Sequence, residues 1–186
     1  MKRRIADLGP IREIESVGES WGPFRNNVPV LWDWGAHDVS MCLDCLNDVP
    51  TSLSASLIET RNVESGLGQK IWISLGFPKG IAVTISIGNI FSEKRRSFTV
   101  TGRRCQFIYN DLNPTPLFMK SFDNESELRA QSHGFPVPVS SELPLTGAVR
   151  EFLRMIRSRD SSLESLRLGV NVIKVLDRCQ RQINAA

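Results

Sequence analysis

Residues 81–90, IAVTISIGNI, decide the expected fold class because they carry the clearest strand pattern in the chain. Apolar residues alternate with small or polar ones, so the two sets point to opposite faces of a sheet. The apolar set is Ile81, Val83, Ile85 and Ile87, and the other is Ala82, Thr84, Ser86 and Gly88. Such a strand predicts a sheet covered by helices on one side, with its second side wet or packed against another subunit.

Other strand segments surround this one. They are β-branched or aromatic and are separated by turn signals such as SGLG, FPKG and TGRR. They comprise residues 53–59, 71–77, 97–101 and 105–109, with a weaker strand at 9–20 and a short one at 116–120 inside an irregular connection over 110–142. Short connections between the strands favour an antiparallel meander over repeated βαβ units.

Three helices are expected beside the sheet. From Gly35 the apolar residues recur at helical spacing until Asn47, and two further helices close the chain. Pro144 suits the opening turn of one, and Ser161 with Glu164 has the spacing of a capping box for the other. The predicted core stripes are Val149, Phe152, Leu153 and Ile156 in the first and Leu166, Val170, Ile173 and Leu176 in the second. The pattern predicts an α+β domain with an open, mainly antiparallel β-sheet and helices packed on one face.

Composition fits one globular domain over residues 1–186, of which 41% are hydrophobic and 23% charged. A net charge of +3 does not imply nucleic acid or membrane as a partner. The basic residues 94–96 and 103–104 are read as a solvated hairpin. No apolar run has the length of a membrane span or a secretory signal, so the expected location is cytoplasmic.

Cysteines and glycines give no cofactor motif. The chain has four cysteines, and the CxxC formed by Cys42 and Cys45 lies in a helical pattern with no second ligand pair, so packing is expected and no metal. The glycine pair Gly66 and Gly68 lacks a third glycine and precedes a strand, which excludes a Rossmann fingerprint there.

The segment WDWGAHD carries the candidate catalytic residues, because Asp33 precedes His37 by four positions around the first turn of a helix. Asp33 is also well placed to cap that helix. His37 projects opposite the predicted core stripe, toward a possible cleft. An imidazole beside a carboxylate can exchange a proton with a hydroxyl or carbonyl oxygen, and a purely structural role for the pair stays open.

Aromatic and polar residues near this segment are candidate substrate-binding groups. Trp32 and Trp34 flank Asp33 and could form one cluster with Trp21 and Phe24. Such rings stack on the apolar faces of sugars or fill core volume. Arg25 and Asn26 precede the cluster in a loop, where they could bind hydroxyls or make turns.

At residues 30–46, VLWDWGAHDVSMCLDCL, the chain resembles the C-terminal half of the Gfo/Idh/MocA oxidoreductases, the family of glucose-fructose oxidoreductase and inositol dehydrogenase. The entry GPIREIESV resembles that family's first strand after its nucleotide domain. Residues 97–111, SFTVTGRRCQFIYND, resemble its hairpin, and residues 145–183 its closing pair of helices. Cys105 departs from the pattern, since family members usually have a second glycine there.

The resemblance implies hydride transfer between a nicotinamide and a sugar or polyol hydroxyl carbon. By position, His37 would exchange the proton at the reacting oxygen and Asp33 would orient or assist it. NAD or NADP is implied, but the family's N-terminal Rossmann domain, and the acid/base lysine in it, have no counterpart in these residues.

Two functions remain open at this point. The chain could be the substrate-binding and oligomerisation half of a sugar or polyol dehydrogenase, working with a missing or separate nucleotide-binding domain. It could instead be a non-enzymatic module that uses the open sheet for self-association or sugar binding. A homodimer or homotetramer through that face is expected, and the first function also predicts exposed apolar surface on the helices.

Overall fold

The computed structural model describes residues 2–25, 27–122, 134–139, 142–159 and 162–185. Its strands are β1 (Ile11–Trp21), β2 (Ser52–Val63), β3 (Gly66–Gly76), β4 (Ala82–Gly88), β5 (Ile90–Gly102), β6 (Cys105–Tyr109), β7 (Leu117–Ser121) and β8 (Phe135–Pro136). They form one eight-stranded sheet in the order β2-β3-β4-β1-β5-β6-β7-β8. All neighbours are antiparallel except β1 and β4, so the predicted α+β class with a mainly antiparallel sheet is confirmed.

The first strand interrupts the expected meander. β1 lies between β4 and β5, parallel to the former and antiparallel to the latter. A single residue, Asn89, carries the chain from β4 across the end of β1 into β5. The Gly22 amide donates a hydrogen bond of 2.9 Å to the Asn89 carbonyl, which ties the end of β1 to this crossing. β4 and β5 are therefore consecutive in the sequence but not adjacent in the sheet.

The helices are α1 (Val30–Asp33), α2 (Gly35–Leu46), α3 (Pro144–Ser158) and α4 (Glu164–Ala185), and short 3-10 turns cover Lys2–Leu8 and Pro78–Gly80. α2 ends at Asn47, whose left-handed backbone (φ 50°) lets its amide donate to the Leu43 carbonyl, as the sequence predicted. α2 and α4 pack against each other and against the apolar side of the sheet. The core they enclose includes Ile14, Val39, Cys42, Ile71, Ile73, Val83, Ile85, Ile87, Phe98, Val100 and Leu176.

The alternation predicted for residues 81–90 is present. Val83, Ile85 and Ile87 are fully buried beneath the helices, while Ala82 and Thr84 lie on the opposite, helix-free face. This open face also carries Trp72, which is 43% exposed. Among the described residues, no helix combines the length and apolar character that crossing a bilayer requires.

Most of the predicted core stripes of the last two helices are exposed. In α3, Val149, Phe152 and Ile156 are 51%, 63% and 58% exposed. Of the stripe predicted in α4, Leu176 is buried as expected, whereas Leu166, Val170 and Ile173 are exposed; the other buried residues of this helix are Val172, Val175 and Cys179. Helical periodicity identifies an apolar stripe, but it does not show whether the rest of the chain covers that stripe, because packing is decided by the tertiary arrangement. We call these exposed apolar side chains of α3 and α4 the helical apolar surface.

The start of α4 differs slightly from the expected capping box. Ser161 lies outside the described residues. The neighbouring Ser162 accepts a hydrogen bond of 3.3 Å at its Oγ from the Glu164 amide, so it satisfies a donor of the first turn.

Candidate functional site

The site begins where α1 passes into α2, close to the sheet. Trp34 separates the two helices, and Gly35 opens α2 against the sheet. A Cβ at Gly35 would lie 3.1 Å from Ile87 Cδ1 and 3.4 Å from Leu31 Cδ1, so only glycine permits this approach without displacement. The close packing places Asp33, Trp34 and His37 around the N-terminal end of α2.

We call the space at this end of α2 the front cleft. It has a volume of about 320 Å³ and is lined by Ser20, Pro23, Arg25, Asp33, Trp34, His37, Lys94 and Arg96. The structure thus brings together Arg25, Asp33, Trp34 and His37, four residues that the sequence analysis selected. Asn26, the fifth, lies outside the described residues.

Asp33 makes an ion pair rather than a helix cap. Its Oδ2 lies 3.0 Å from Arg25 Nε, whereas α2 has no side-chain hydrogen bond at its N-cap. The capping role considered for Asp33 is therefore wrong. Asp33 terminates α1 and points to the incoming loop, where it holds the Arg25 guanidinium against the front cleft.

His37 lies exposed at the rim of the cleft in the first turn of α2. Its amide donates to the Trp34 carbonyl at 3.0 Å, and its carbonyl accepts a hydrogen bond of 2.7 Å from Ser40 Oγ. In the described part of the chain, no hydrogen bond joins the His37 imidazole to the Asp33 carboxylate. The imidazole is therefore available to a bound molecule. Asp33 lines the same cleft, where it is paired with Arg25.

A second space, which we call the rear cleft, adjoins the first. It has about 350 Å³ and is lined by Val17, His37, Asp38, Ser40, Met41, Arg96, Ser97, Phe98, Tyr109 and Asp111. His37 and Arg96 line both clefts. They consequently form the boundary between the two spaces.

Asp38 is a rear-cleft residue that the sequence analysis missed. Only 3% of it is exposed, Ser16 Oγ donates a hydrogen bond to its Oδ1, and its Oδ2 has no partner in the described residues. Burial raises the pKa of the Asp38 carboxyl, although Ser16, Arg96 and His37 oppose the shift. No local pattern indicated Asp38, because its burial depends on Ser16, which the fold brings beside it from β1.

The basic stretch 94–96 lies in β5, the first strand of a hairpin with β6, where Lys94 and Arg95 are exposed as predicted, and it also contributes to the site. Lys94 and Arg96 line the front cleft. Arg95 lies on the open face, where its Nη1 is 3.0 Å from Oε2 of the buried Glu19. Glu19 accepts a further hydrogen bond of 2.7 Å from Ser86 Oγ. Strand alternation thus divides three adjacent cations between two faces of the sheet.

The aromatic residues do not form the single cluster considered above. Trp32 Nε1 donates to Gln180 Oε1 at 3.1 Å and so packs toward α4. Trp21 and Phe24 make an edge-to-face pair with ring centroids 5.3 Å apart, and Trp34 lines the front cleft. Trp34 therefore remains the cleft aromatic available to a bound molecule.

The glycine pair Gly66 and Gly68 does not form a dinucleotide-binding loop. Gly66 and Gly68 belong to the hairpin between β2 and β3, and a Cβ at Gly68 would lie 2.2 Å from Ile90 Cγ2. The Ile90 side chain occupies the space above Gly68, so a pyrophosphate cannot approach the backbone there. The described residues also contain no group of three His, Cys, Asp or Glu side chains that could hold a metal ion.

Comparison with solved structures gives the fold its relatives. A protein from Magnetospirillum magnetotacticum MS-1 assigned as an oxidoreductase is 31% identical, with a TM-score of 0.83 over 96% of this chain and 57% of its own. UDP-N-acetylglucosamine 3-dehydrogenase from Acidithiobacillus ferrooxidans is 16% identical, with a TM-score of 0.77 over 98% of this chain and 57% of its own. Biliverdin reductase from Synechocystis sp. PCC 6803, in complex with biliverdin and NADP+, is 13% identical, with a TM-score of 0.77 over 98% and 58%.

The chain therefore has the fold of an oxidoreductase domain and spans somewhat more than half the length of these proteins. No family model matches the sequence, and no curated protein does. The last two relatives share the fold at low identity while acting on unlike molecules, a sugar nucleotide and a bile pigment. The fold alone leaves the substrate open, so the substrate must be argued from the clefts.

Proposed function

We propose that this chain is the substrate-binding half of an NAD(P)-dependent oxidoreductase of the Gfo/Idh/MocA type that acts on a sugar or polyol hydroxyl. One observation carries the proposal. The front cleft gathers His37, Asp33, Arg25 and Trp34 at one end of α2, in a fold shared with longer oxidoreductases.

His37 is the acid/base group in this proposal. Its imidazole is exposed at the rim of the cleft, and an imidazole exchanges protons near neutral pH. During oxidation an imidazole nitrogen takes the proton from the substrate hydroxyl, and during reduction it returns that proton to the carbonyl oxygen. The hydride acceptor is a nicotinamide dinucleotide bound outside the described residues.

The remaining cleft residues orient the substrate. Asp33 fixes the Arg25 guanidinium through their 3.0 Å ion pair, and the remaining donors of that guanidinium can bind a hydroxyl oxygen. The Trp34 ring offers an apolar surface for a sugar ring. Asn26, in the same loop as Arg25, is proposed as a further hydroxyl ligand from its sequence position.

A nucleotide-binding domain, on the same polypeptide or a separate one, completes the enzyme. Because the solved relatives continue well beyond the region matched by this chain, we propose that this domain covers the helical apolar surface. Exposed apolar stripes on two helices that follow each other in the chain are typical of a surface that is buried in a larger assembly. This proposed domain would also determine the choice between NAD and NADP.

The open face of the sheet is proposed to pair with the same face of a second copy. This face presents Trp72, Ser74, Thr84 and Glu15, a mixture of one large aromatic and small or polar side chains. Two-fold pairing of such a face would bury Trp72 in an isologous contact. Sedimentation velocity should give at least a dimer, and Trp72→Asp should shift it toward the monomer; a wild-type monomer at high concentration would remove this part of the proposal.

Native purification tests the proposed function. The chain would be captured from cells of its source, and the mass of the assembly and its reduction of NAD+ or NADP+ with a panel of sugars and polyols would be measured. A nucleotide-binding domain of about 130–150 residues should add roughly 15 kDa or more to each 20.9 kDa chain. Sugar-dependent reduction of either nucleotide is expected.

An assembly made only of copies of the 20.9 kDa chain, inactive with every substrate and both nucleotides, would contradict the proposal. That outcome would favour a non-enzymatic module for self-association or sugar binding. Sugar binding without reduction, measured on the same material, would identify the second of these roles.

A further inference from the structure

We infer that the front cleft recognises a substrate bearing an anionic group, a carboxylate or a phosphate, which binds Lys94 and Arg96 while its reacting hydroxyl faces His37. This inference rests on the proposed function and narrows its substrate class. The residues concerned belong to β5 rather than to the segment around Asp33, so they add a second wall to the site.

The charges of the front cleft do not cancel. Its lining includes the cations Arg25, Lys94 and Arg96 and one carboxylate, Asp33. Asp33 pairs with Arg25 at 3.0 Å, which leaves the other two cations without that counterion. A concave site with excess positive charge concentrates anions and strengthens their hydrogen bonds by excluding water.

Arg96 has the position of a ligand-binding guanidinium. It is about one-third exposed and lines both clefts, and the carboxylate paired with it, Asp111, stands 4.0 Å from its Nε. At that distance the pair is an ion pair without a hydrogen bond, so donors of the guanidinium stay available. A planar fork of donors suits a carboxylate or phosphate, which can accept two parallel hydrogen bonds.

Asp38 lies near Arg96, whose charge opposes the rise in the pKa of the Asp38 carboxyl, but among the described residues the two side chains make no direct ion pair. The Asp38 Oδ1 accepts from Ser16, its Oδ2 has no hydrogen-bond partner in the described residues, and burial raises the pKa of its carboxyl. Both groups lie over Gly18: a Cβ there would lie 3.2 Å from Asp38 Oδ2 and 3.5 Å from Arg96 Nη1. Arg96 thus lies beside a buried carboxylate, and its side chain also lines both clefts.

The backbone at the N-terminal end of α2 also favours an anion in the front cleft. α2 has 12 residues, and its N-terminal end carries Trp34 and His37 into the front cleft. A helix N-terminus bears a partial positive charge that stabilises an anion nearby. The helix end and the two β5 cations therefore line the same space.

Binding measurements on the whole 186-residue chain test this inference without requiring turnover. D-glucuronate, D-glucose 6-phosphate and neutral D-glucose would be titrated into the labelled chain, and amide chemical shifts followed by NMR. Both acidic probes should bind at least about tenfold more tightly than D-glucose, because a hydrogen bond to a charged group contributes about 1.5–3 kcal/mol and 1.4 kcal/mol is tenfold. Equal affinities for acidic and neutral probes would overturn the inference.

Variants locate the binding. Arg96→Gln and Lys94→Gln should each weaken the acidic probes about tenfold and leave D-glucose unchanged, whereas Arg96→Lys keeps the charge but not the planar fork and should retain only part of the preference. Arg103→Gln removes the same charge from the exposed turn between β5 and β6 and should have no effect. If Arg103→Gln weakens the probes as much as Arg96→Gln does, the preference is only a long-range charge effect and the assignment of the site fails.

A competition experiment with 2′,5′-ADP tests whether Lys94 and Arg96 bind the substrate or the cofactor. If 2′,5′-ADP binds in an Arg96-dependent manner and displaces D-glucuronate, the cations serve a nucleotide phosphate, and the assignment to the substrate is wrong. The proposed oxidoreductase function is judged separately, by sugar-dependent nucleotide reduction in the native assembly. Turnover that shows no preference for acidic substrates would refute the inference and leave that function intact.

Discussion

Substitution of the apolar residues of α3 should leave the chain folded but prevent its assembly. Phe152 and Ile156 are 63% and 58% exposed, so less than half of each side chain is hidden within the chain. Full burial of such a side chain contributes about 1.5–3 kcal/mol, and the part already hidden therefore contributes only about 0.5–1 kcal/mol. Serine has a helix propensity close to that of both residues, so Phe152→Ser with Ile156→Ser should cost about 1–2 kcal/mol of folding free energy.

The same two side chains should matter more for docking of the nucleotide-binding domain. Covering their exposed fractions would contribute about 1–2 kcal/mol each, so the double variant should weaken the assembly by about 30- to 1,000-fold. Urea denaturation followed by circular dichroism measures the first effect, and co-purification over a dilution series measures the second. Phe98→Ala is the control for a core residue, since Phe98 is 2% exposed and its loss should cost about 3–5 kcal/mol.

Two results would refute this reasoning. A loss near that of Phe98→Ala in the isolated chain would mean that α3 packs within the domain after all. Unchanged assembly by a stable double variant would mean that the nucleotide-binding domain, if present, docks elsewhere than on the helical apolar surface.

Three further outcomes test the packing and charges. Because burial raises the pKa of Asp38, the wild-type chain loses stability as pH rises through that raised pKa. The free energy of unfolding of Asp38→Asn should therefore rise relative to that of the wild type from pH 4 to pH 8. A difference between the two proteins that does not vary with pH would count against the buried carboxylate. Gly102→Ala should destabilise the chain by about 1–3 kcal/mol, since the added Cβ would meet the Leu8 carbonyl oxygen. Gly169→Ala, whose added Cβ would have nothing within 4 Å, should stabilise α4 by up to about 1 kcal/mol. Thermal melts that reverse this order would contradict the close approach of Gly102 to Leu8. Burial raises the pKa of the Cys179 thiol to about 11, so iodoacetamide at pH 8 should modify it only after urea unfolding, and rapid modification of the native chain would contradict its burial.

Local patterns of the sequence predicted several elements well. The alternation at residues 82–88 identified β4 and its buried face, and the helical spacing after Gly35 identified α2 with its stop at Asn47. These features depend on neighbouring residues and on the conformational preferences of single side chains. They could be read without knowledge of the tertiary structure.

Other features depend on residues distant in sequence and were missed. The insertion of β1 between β4 and β5 sets Gly18 opposite Arg96 and brings Arg95 beside Glu19, which no local pattern specifies. That register turns part of a basic stretch into a wall of the clefts and gives Asp38 its buried place. Likewise, the apolar stripe of α3 was correctly recognised as a stripe, but its exposure follows from an arrangement that periodicity does not contain.

The candidate site was partly accessible to sequence reasoning. The spacing within WDWGAHD placed Asp33, Trp34 and His37 near one helix end, where the front cleft indeed includes all three. Their chemical roles remain predictions. The ion pair between Asp33 and Arg25 was not foreseen, because it joins a loop to a helix end through tertiary geometry.

The most direct test of the central claim is the sugar-dependent reduction of NAD+ or NADP+ by the native assembly, compared between wild type and His37→Ala. Removal of a general acid/base group should lower kcat by about 10²–10⁴-fold. The mass of the assembly should stay unchanged, since His37 is exposed and lies outside the core. Equal turnover by the two proteins at equal mass would contradict the account.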